Sequence, residues 1–229
     1  MKRAPRLYFS LRSPYSWLAI RRLRTVVPDL SAAMECIPYW DPDAATGAAL
    51  EQRGGEFHYV QMSRAKHLYM LMDTKRIAGR EGVQMSWPVD IDSYWERPHL
   101  AWLYARRAGR EWQFYDAVMQ ARWGCGDDIC RSDVVRAAAA EAGLDPDGAV
   151  AAADDPELRA DGVGCLYQAY LDDIFGIPYL KWGQHRFWGL DRVDPFLDVW
   201  QPAAQAAGIP AELLTASRPY DLDTAGGCG

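Results

Sequence analysis

The sequence has no Cys-x-x-Cys pair. Its five cysteines, Cys36, Cys125, Cys130, Cys165 and Cys228, are odd in number and scattered. That pattern argues against a disulfide framework and removes the paired thiols that disulfide exchange requires. Histidine is scarce too, with 4 in the chain and none clustered beside Cys125 or Cys130, so no metal site is expected. No apolar run approaches the roughly 20 residues needed to cross a bilayer. The basic start leads directly into a short apolar segment rather than the apolar core of a secretory leader. Positive charge is outnumbered, with Lys+Arg 25 against Asp+Glu 31 and a net charge of -6. This balance argues against a general nucleic-acid surface. The expectation is a cytoplasmic protein with neither nucleic acid nor membrane as a partner.

What the chain does have is aromatic rings. Ten Trp and twelve Tyr stand in 229 residues. Rings at that density line a cleft for a flat organic ligand, or they simply fill a core, and composition leaves both readings open. The length suffices for a full core, as one domain or as a domain carrying a large insertion.

Local patterns divide the chain into three stretches. Leu7-Tyr8-Phe9 reads as a buried strand, and Ser13-Pro14 after it as a helix start, with Ser at the cap and Pro at the first helical position. Pro28-Asp29 ends that helix, and a second strand is expected over residues 33–39. Residues 41–55 read as loop with a helical turn. Helical spacing then dominates over residues 61–78 and 100–123. A further helix opens at Ser132-Asp133 and closes at Gly143. Another begins at Asp155-Pro156, with breaks expected at Gly162 and Gly164. After Gly176-Ile177-Pro178, the runs Tyr179–Trp182 and His185–Trp188 flank Gly183-Gln184 as a hairpin, and a last helix begins near Val193. The order βαβ, helical block, ββα is that of an α/β fold with a large all-helical insertion.

Four separated motifs now coincide. Phe9-x-x-x-Ser13-Pro14-Tyr15-Ser16-Trp17-Leu18 joins strand to helix, and Lys66-x-x-Tyr69-x-x-x-Asp73 lies in the helical block. Gly176-Ile177-Pro178 precedes the hairpin, and Phe187-Trp188-Gly189-x-Asp191-Arg192 follows it. In order and spacing they resemble the 2-hydroxychromene-2-carboxylate isomerase and kappa-class glutathione transferase group of the DsbA-like superfamily. The resemblance runs from about Leu7 to Trp200. It implies a thioredoxin fold, with residues 5–42 and 172–204 as the thioredoxin-like domain, 43–171 as the helical insertion and 205–229 as a C-terminal extension. Ser13 and Ser16 stand where a redox relative carries its cysteines.

The same resemblance implies a cofactor, glutathione or another small thiol. Ser13 would be the catalytic residue, its hydroxyl donating to the thiol sulfur. A free thiol is mostly protonated at neutral pH, so a hydroxyl donor and the positive end of a helix both favour the reactive anion. Taken alone, Ser13 reads more readily as a helix cap. Ile177 and Pro178 match the cis-proline site, whose preceding residue offers its backbone to the cysteine part of the cofactor. Leu190 and Asp191 match the position that holds the γ-glutamyl end, with Leu190 replacing a polar residue usual there. Lys66 matches a lysine facing an acidic group of cofactor or substrate, although a solvated helix face explains it as simply. Ser10 and Arg12 depart from relatives that commonly have Asp and an apolar residue. Arg12, Tyr39, Trp40 and Trp182 are taken as candidate substrate contacts.

Three function classes follow. The first is a thiol-dependent isomerase or transferase acting on an electrophilic, aromatic or quinone-like small molecule. The second, disulfide exchange, is opposed by Ser13 and Ser16. The third is a binding protein that kept the fold. The resemblance also admits a homodimer.

Overall fold

Leu7, Tyr8 and Phe9 are fully buried in strand β1 (Arg6–Phe9), the uninterrupted apolar run of a strand covered on both faces. The computed structural model describes residues 4–59 and 62–206. β1 leads through helix α1 (Pro14–Val26) and a short helix α2 (Leu30–Ala33) into β2 (Glu35–Pro38). The hairpin β3 (Tyr179–Trp182) and β4 (His185–Trp188) completes a mixed four-stranded sheet in the order β2-β1-β3-β4. β1 and β3 run antiparallel with Leu7 opposite Leu180, and Tyr179 of β3 pairs with Trp188 of β4. Gly183 turns the hairpin at φ +60, a conformation that glycine adopts without steric cost. This is the thioredoxin-like βαβ…ββα order.

Contacts divide the chain into two units: Met1–Phe9, Tyr15–Ile37 and Gly176–Gly229 in one, Ser10–Pro14 and Pro38–Phe175 in the other. The boundaries fall at 37/38 and 175/176 rather than at the expected 42/43 and 171/172. The loop Ser10–Pro14, which carries Ser13, is counted with the helical unit. Of the expected extension 205–229, all but the first two residues lie outside the described residues.

In the sheet unit, helix α10 (Val193–Ala206) packs on β3 and β4. Phe196 stacks on Trp200 at 5.5 Å and meets Phe187 edge-on at 5.7 Å. Core side chains of this size contribute about 1.5–3 kcal/mol each when fully buried.

The helical unit contains α3 (Ala44–Gln52), α4 (Arg64–Arg80), α5 (Glu96–Arg107), α6 (Glu111–Met119), α7 (Ser132–Glu141), α8 (Pro146–Ala151) and α9 (Pro156–Leu171). α5 packs against α6, α7, α8 and α9, with Trp102 wholly buried. Several expectations need correction. Residues 41–55 are not mainly loop: Asp43 caps α3 by accepting the Thr46 amide at 2.7 Å. The helical stretch 100–123 is two helices, parted at Gly109, whose φ is +65, and extended by a π-helical turn over Gln120–Cys125. α9 runs unbroken through Gly162 and Gly164. A side chain at Gly162 would lie 2.8 Å from Leu100 and 3.2 Å from Trp40, so packing rather than chain breaking explains that glycine. The short helices α2 and α8 were not anticipated.

Candidate active site

Ser13 immediately precedes α1, whose first residue is Pro14. The aligned peptide dipoles of a helix make its N-terminal end electropositive. The loop before it is tightly wound. Ser13 N–H donates to the Ser10 carbonyl at 3.1 Å, and Arg12 N–H donates to Ser10 Oγ at 3.2 Å. Ser10 is buried and Ser13 partly exposed.

Beneath this loop lies His99 of α5, fully buried. Its Nε2 is 3.1 Å from the Leu11 amide and 3.0 Å from Ser10 Oγ, while Nδ1 is 2.7 Å from the Trp95 carbonyl. Trp40 stacks on the imidazole at 5.0 Å and 15°. Burial lowers the His99 pKa to about 3, assisted by the charges of Arg122 and Arg12 and opposed by the Trp95 carbonyl. The ring is therefore neutral.

Two arginines flank the loop. Arg12 is exposed, pairs with Asp41 and lies 5.2 Å over the Trp95 ring. Arg122 is buried and donates to both oxygens of Asp90, at 2.8 and 2.9 Å. Its guanidinium sits 5.3 Å over Trp95 and 4.7 Å over Trp123, and Nε reaches the Arg12 carbonyl at 3.4 Å. Tyr39 is buried and stacks on Phe57 at 4.8 Å. Its hydroxyl has no hydrogen-bond partner among the described residues. Burial, with Asp41 and Tyr59 nearby, pushes the Tyr39 pKa well up, so it stays a neutral donor. Tyr59 is also raised, by burial first, with Arg12 opposing and Asp41 adding to it.

Within the helical unit, Arg12, Ser13, Tyr39 and Trp40 thus gather on one loop and the start of one segment. Tyr39 and Trp40 are buried rather than open ring faces. Lys66 is exposed in the first turn of α4, after the cap Ser63. The sheet unit holds the remaining candidates. Ile177-Pro178 is a cis peptide, and the Pro178 carbonyl accepts Gly189 N–H at 3.0 Å, bringing Ile177 and Pro178 beside Leu190 and Asp191. Leu190 is buried, and Asp191 is partly exposed and paired with Arg192. Gly189 has φ +106, and a side chain there would press on the Asp191 carboxylate at 2.8 Å. Trp182 is buried in β3 and stacks with His185 at 5.9 Å.

Sequence reasoning missed His99, Trp95, Arg122 and Asp90. All are remote in sequence from the loop they support, and none stands in a motif. A separate groove of about 710 Å³ in the helical unit is lined in part by Val89, Ile91, Cys125, Asp127, Asp133 and Glu141. It shares no lining residue with the Ser13 loop, and its carboxylates disfavour an anionic ligand.

Comparison with known proteins agrees with this architecture. Residues 6–201 match the DSBA-like thioredoxin domain. A 2-hydroxychromene-2-carboxylate isomerase of Sphingobium xenophagum is 29% identical over 189 residues, 82% of this chain and 92% of that protein. Among solved structures, a 2-hydroxychromene-2-carboxylate isomerase superposes with a TM-score of 0.64 at 19% identity, covering 91% of this chain and 100% of that one. A protein described as a probable DsbA oxidoreductase of Streptomyces coelicolor also gives 0.64, at 16% identity, covering 99% and 97%. No helix among the described residues is long and apolar enough to cross a membrane. The chain belongs to the DSBA-like thioredoxin domain family and is related to 2-hydroxychromene-2-carboxylate isomerase.

Proposed function

We propose that this chain is a cytoplasmic isomerase or transferase that depends on glutathione or a similar small thiol and acts on an electrophilic, aromatic or quinone-like small molecule. The observation that carries the reading is Ser13, a partly exposed serine at the start of α1 in a protein related to an isomerase. The loop suits a thiolate, with the Ser13 hydroxyl at the start of α1 and the exposed cation Arg12 one residue before. A bound thiol supplies a nucleophilic sulfur that can bond to an electrophilic carbon and later leave with its electron pair, so no redox partner is needed.

Ser13 donates its hydroxyl to the sulfur and favours the ionised form. Arg12, exposed on the loop, is the group proposed to meet an anionic or carbonyl oxygen of the substrate. Lys66, Ile177, Pro178, Leu190 and Asp191 are the proposed contacts of the cofactor's peptide part. Loss of the sulfur after rotation about the freed bond gives isomerisation, and its retention gives transfer. Disulfide exchange lacks its nucleophile at this position, because both Ser13 and Ser16 are hydroxyls.

The test is thermal unfolding with glutathione and other small thiols, since a ligand selective for the native state raises its stability. A rise in midpoint, with Ser13→Ala binding the thiol but losing thiol-dependent turnover of a quinone-like cis-alkene, supports the reading. A midpoint indifferent to every thiol overturns it.

A further inference from the structure

The His99 proton can be placed from its partners. The Trp95 carbonyl can only accept, so Nδ1, 2.7 Å away, carries the hydrogen. Nε2 is then a bare lone pair, and it receives the Leu11 amide at 3.1 Å and the Ser10 hydroxyl at 3.0 Å. A hydroxyl that donates to Nε2 keeps its own lone pairs for the Arg12 amide, at 3.2 Å. The Ser10 carbonyl in turn takes the Ser13 amide at 3.1 Å. The amides of three successive residues, Leu11, Arg12 and Ser13, therefore end on His99 or on the serine that His99 orients.

Alternatives to this anchoring are costly. The loop is buried at Ser10 and Leu11, where an amide left without an acceptor is strongly destabilising. Trp40 holds the ring plane from one side at 5.0 Å. Protonation would turn the acceptor into a donor facing two donors, beside the guanidinium groups of Arg12 and Arg122.

We propose that His99 is the positioning residue of this site: its Nε2 sets the conformation of the Ser10–Ser13 loop and so the placement of the Ser13 hydroxyl and the Arg12 guanidinium. The inference rests on the reading that Ser13 is the working hydroxyl. His99 touches no reacting atom and acts through the loop.

Three variants test it. His99→Phe keeps a ring for Trp40 but has no acceptor; His99→Gln restores an amide oxygen; Ser10→Ala removes the relaying hydroxyl with little change in volume. Amide hydrogen exchange is followed over residues 10–13 and over α5, together with kcat, KM and the ultraviolet titration of bound glutathione. In His99→Phe, exchange in the loop accelerates about tenfold or more relative to α5, the scale of one lost net hydrogen bond. The bound thiol titrates at higher pH, and kcat falls more than KM rises. Ser10→Ala shifts in the same direction by less, and His99→Gln recovers part of the loss. Adding Ser13→Ala to His99→Phe moves the thiol titration no further. Unchanged loop exchange in folded His99→Phe overturns the proposal, as does a loosened loop with unaltered kcat and thiol titration. If His99→Phe does not fold, the comparison of Ser10→Ala with His99→Gln decides by the same criteria. A wild-type protein that binds no thiol overturns the functional reading alone, and loop exchange still decides whether His99 sets the loop.

Discussion

Arg159 of α9 donates through Nη2 to both carboxylate oxygens of Asp43, at 2.8 and 2.7 Å. Asp43 is also the cap of α3, accepting the Thr46 amide at 2.7 Å, so one carboxylate starts one helix and ties it to another. Burial alone would raise its pKa, but the hydrogen bonds from Arg159 and Thr46 outweigh that and hold it below the usual carboxylate range.

Two substitutions at Asp43 separate these contributions. Asp43→Asn keeps a capping oxygen and loses the charge, while Asp43→Ala loses both. The cap is worth about 1 kcal/mol, and a partly exposed ion pair about 0.2–1 kcal/mol. Urea unfolding at neutral pH should therefore rank wild type above Asn and Asn above Ala. A carboxylate with a depressed folded pKa stabilises above its unfolded pKa, near 3.9, and that stabilisation disappears as pH falls through the folded value. The gap between wild type and Asp43→Asn should thus close in acid. A gap that widens in acid would contradict the assigned pairing.

At Gly162, two effects of opposite sign compete. Alanine in a helix interior is better than glycine by about 1 kcal/mol. A Cβ at this position, however, would lie 2.8 Å from Leu100 Cδ2 and 3.2 Å from Trp40. Overpacking of a filled core costs about 1–3 kcal/mol. Gly162→Ala is expected to lower the melting temperature, and to cost less in a Leu100→Ala background than in the wild type. A single variant more stable than wild type would show that the helix is free to shift there.

Much of the scaffold was legible because its signals are local. Ser13-Pro14 marks a helix start by cap chemistry and a preset φ, and Gly183 supplies the hairpin's positive φ. The resemblance carried the thioredoxin order across the helical insertion. The support of the site was not legible. His99 meets Leu11 across 88 residues and Arg122 meets Arg12 across 110, and no pattern in either segment announces the other. Gly162 and Gly164 misled for the converse reason. Intrinsic propensity marked them as helix breakers, while close approach by Trp40 and Leu100 makes a small residue necessary at Gly162. Tyr39 and Trp40 read from the sequence as ring faces, but burial turns Trp40 into the platform of His99.

The described cysteines differ sharply in access. Cys36, Cys130 and Cys165 are buried, and Cys125 is exposed at the end of the π-helical turn. Burial, with Asp128 beside it, pushes the Cys130 pKa up to about 12, which leaves almost no thiolate at neutral pH. In a Cys228→Ser background, native protein should react with one equivalent of a thiol alkylator, at Cys125. Denatured protein should react with four of the free thiols. Cys125→Ser should leave thiol-dependent turnover unchanged. Loss of turnover in that variant would move the chemistry away from Ser13 and towards a protein thiol.

The neutral His99 gives acid stability a definite sign. Its folded pKa is lowered to about 3, whereas an unfolded histidine titrates near 6.5. Between these values the unfolded chain binds a proton that the folded protein does not, so stability falls as pH drops through that window and is intact above it. Glu96, buried one turn earlier on α5, works the other way. Burial raises its pKa, so it favours the fold when protonated and loses that contribution as pH rises through the raised value. Glu96 is common to wild type and His99→Gln and cancels in their difference. Urea midpoints of the two proteins should therefore converge as pH is lowered from 7 towards 4, because only wild type has a buried imidazole to protonate on unfolding. Parallel curves over that range would mean that His99 takes up its proton as readily in the folded protein as in the unfolded chain, which a buried acceptor for Leu11 could not do.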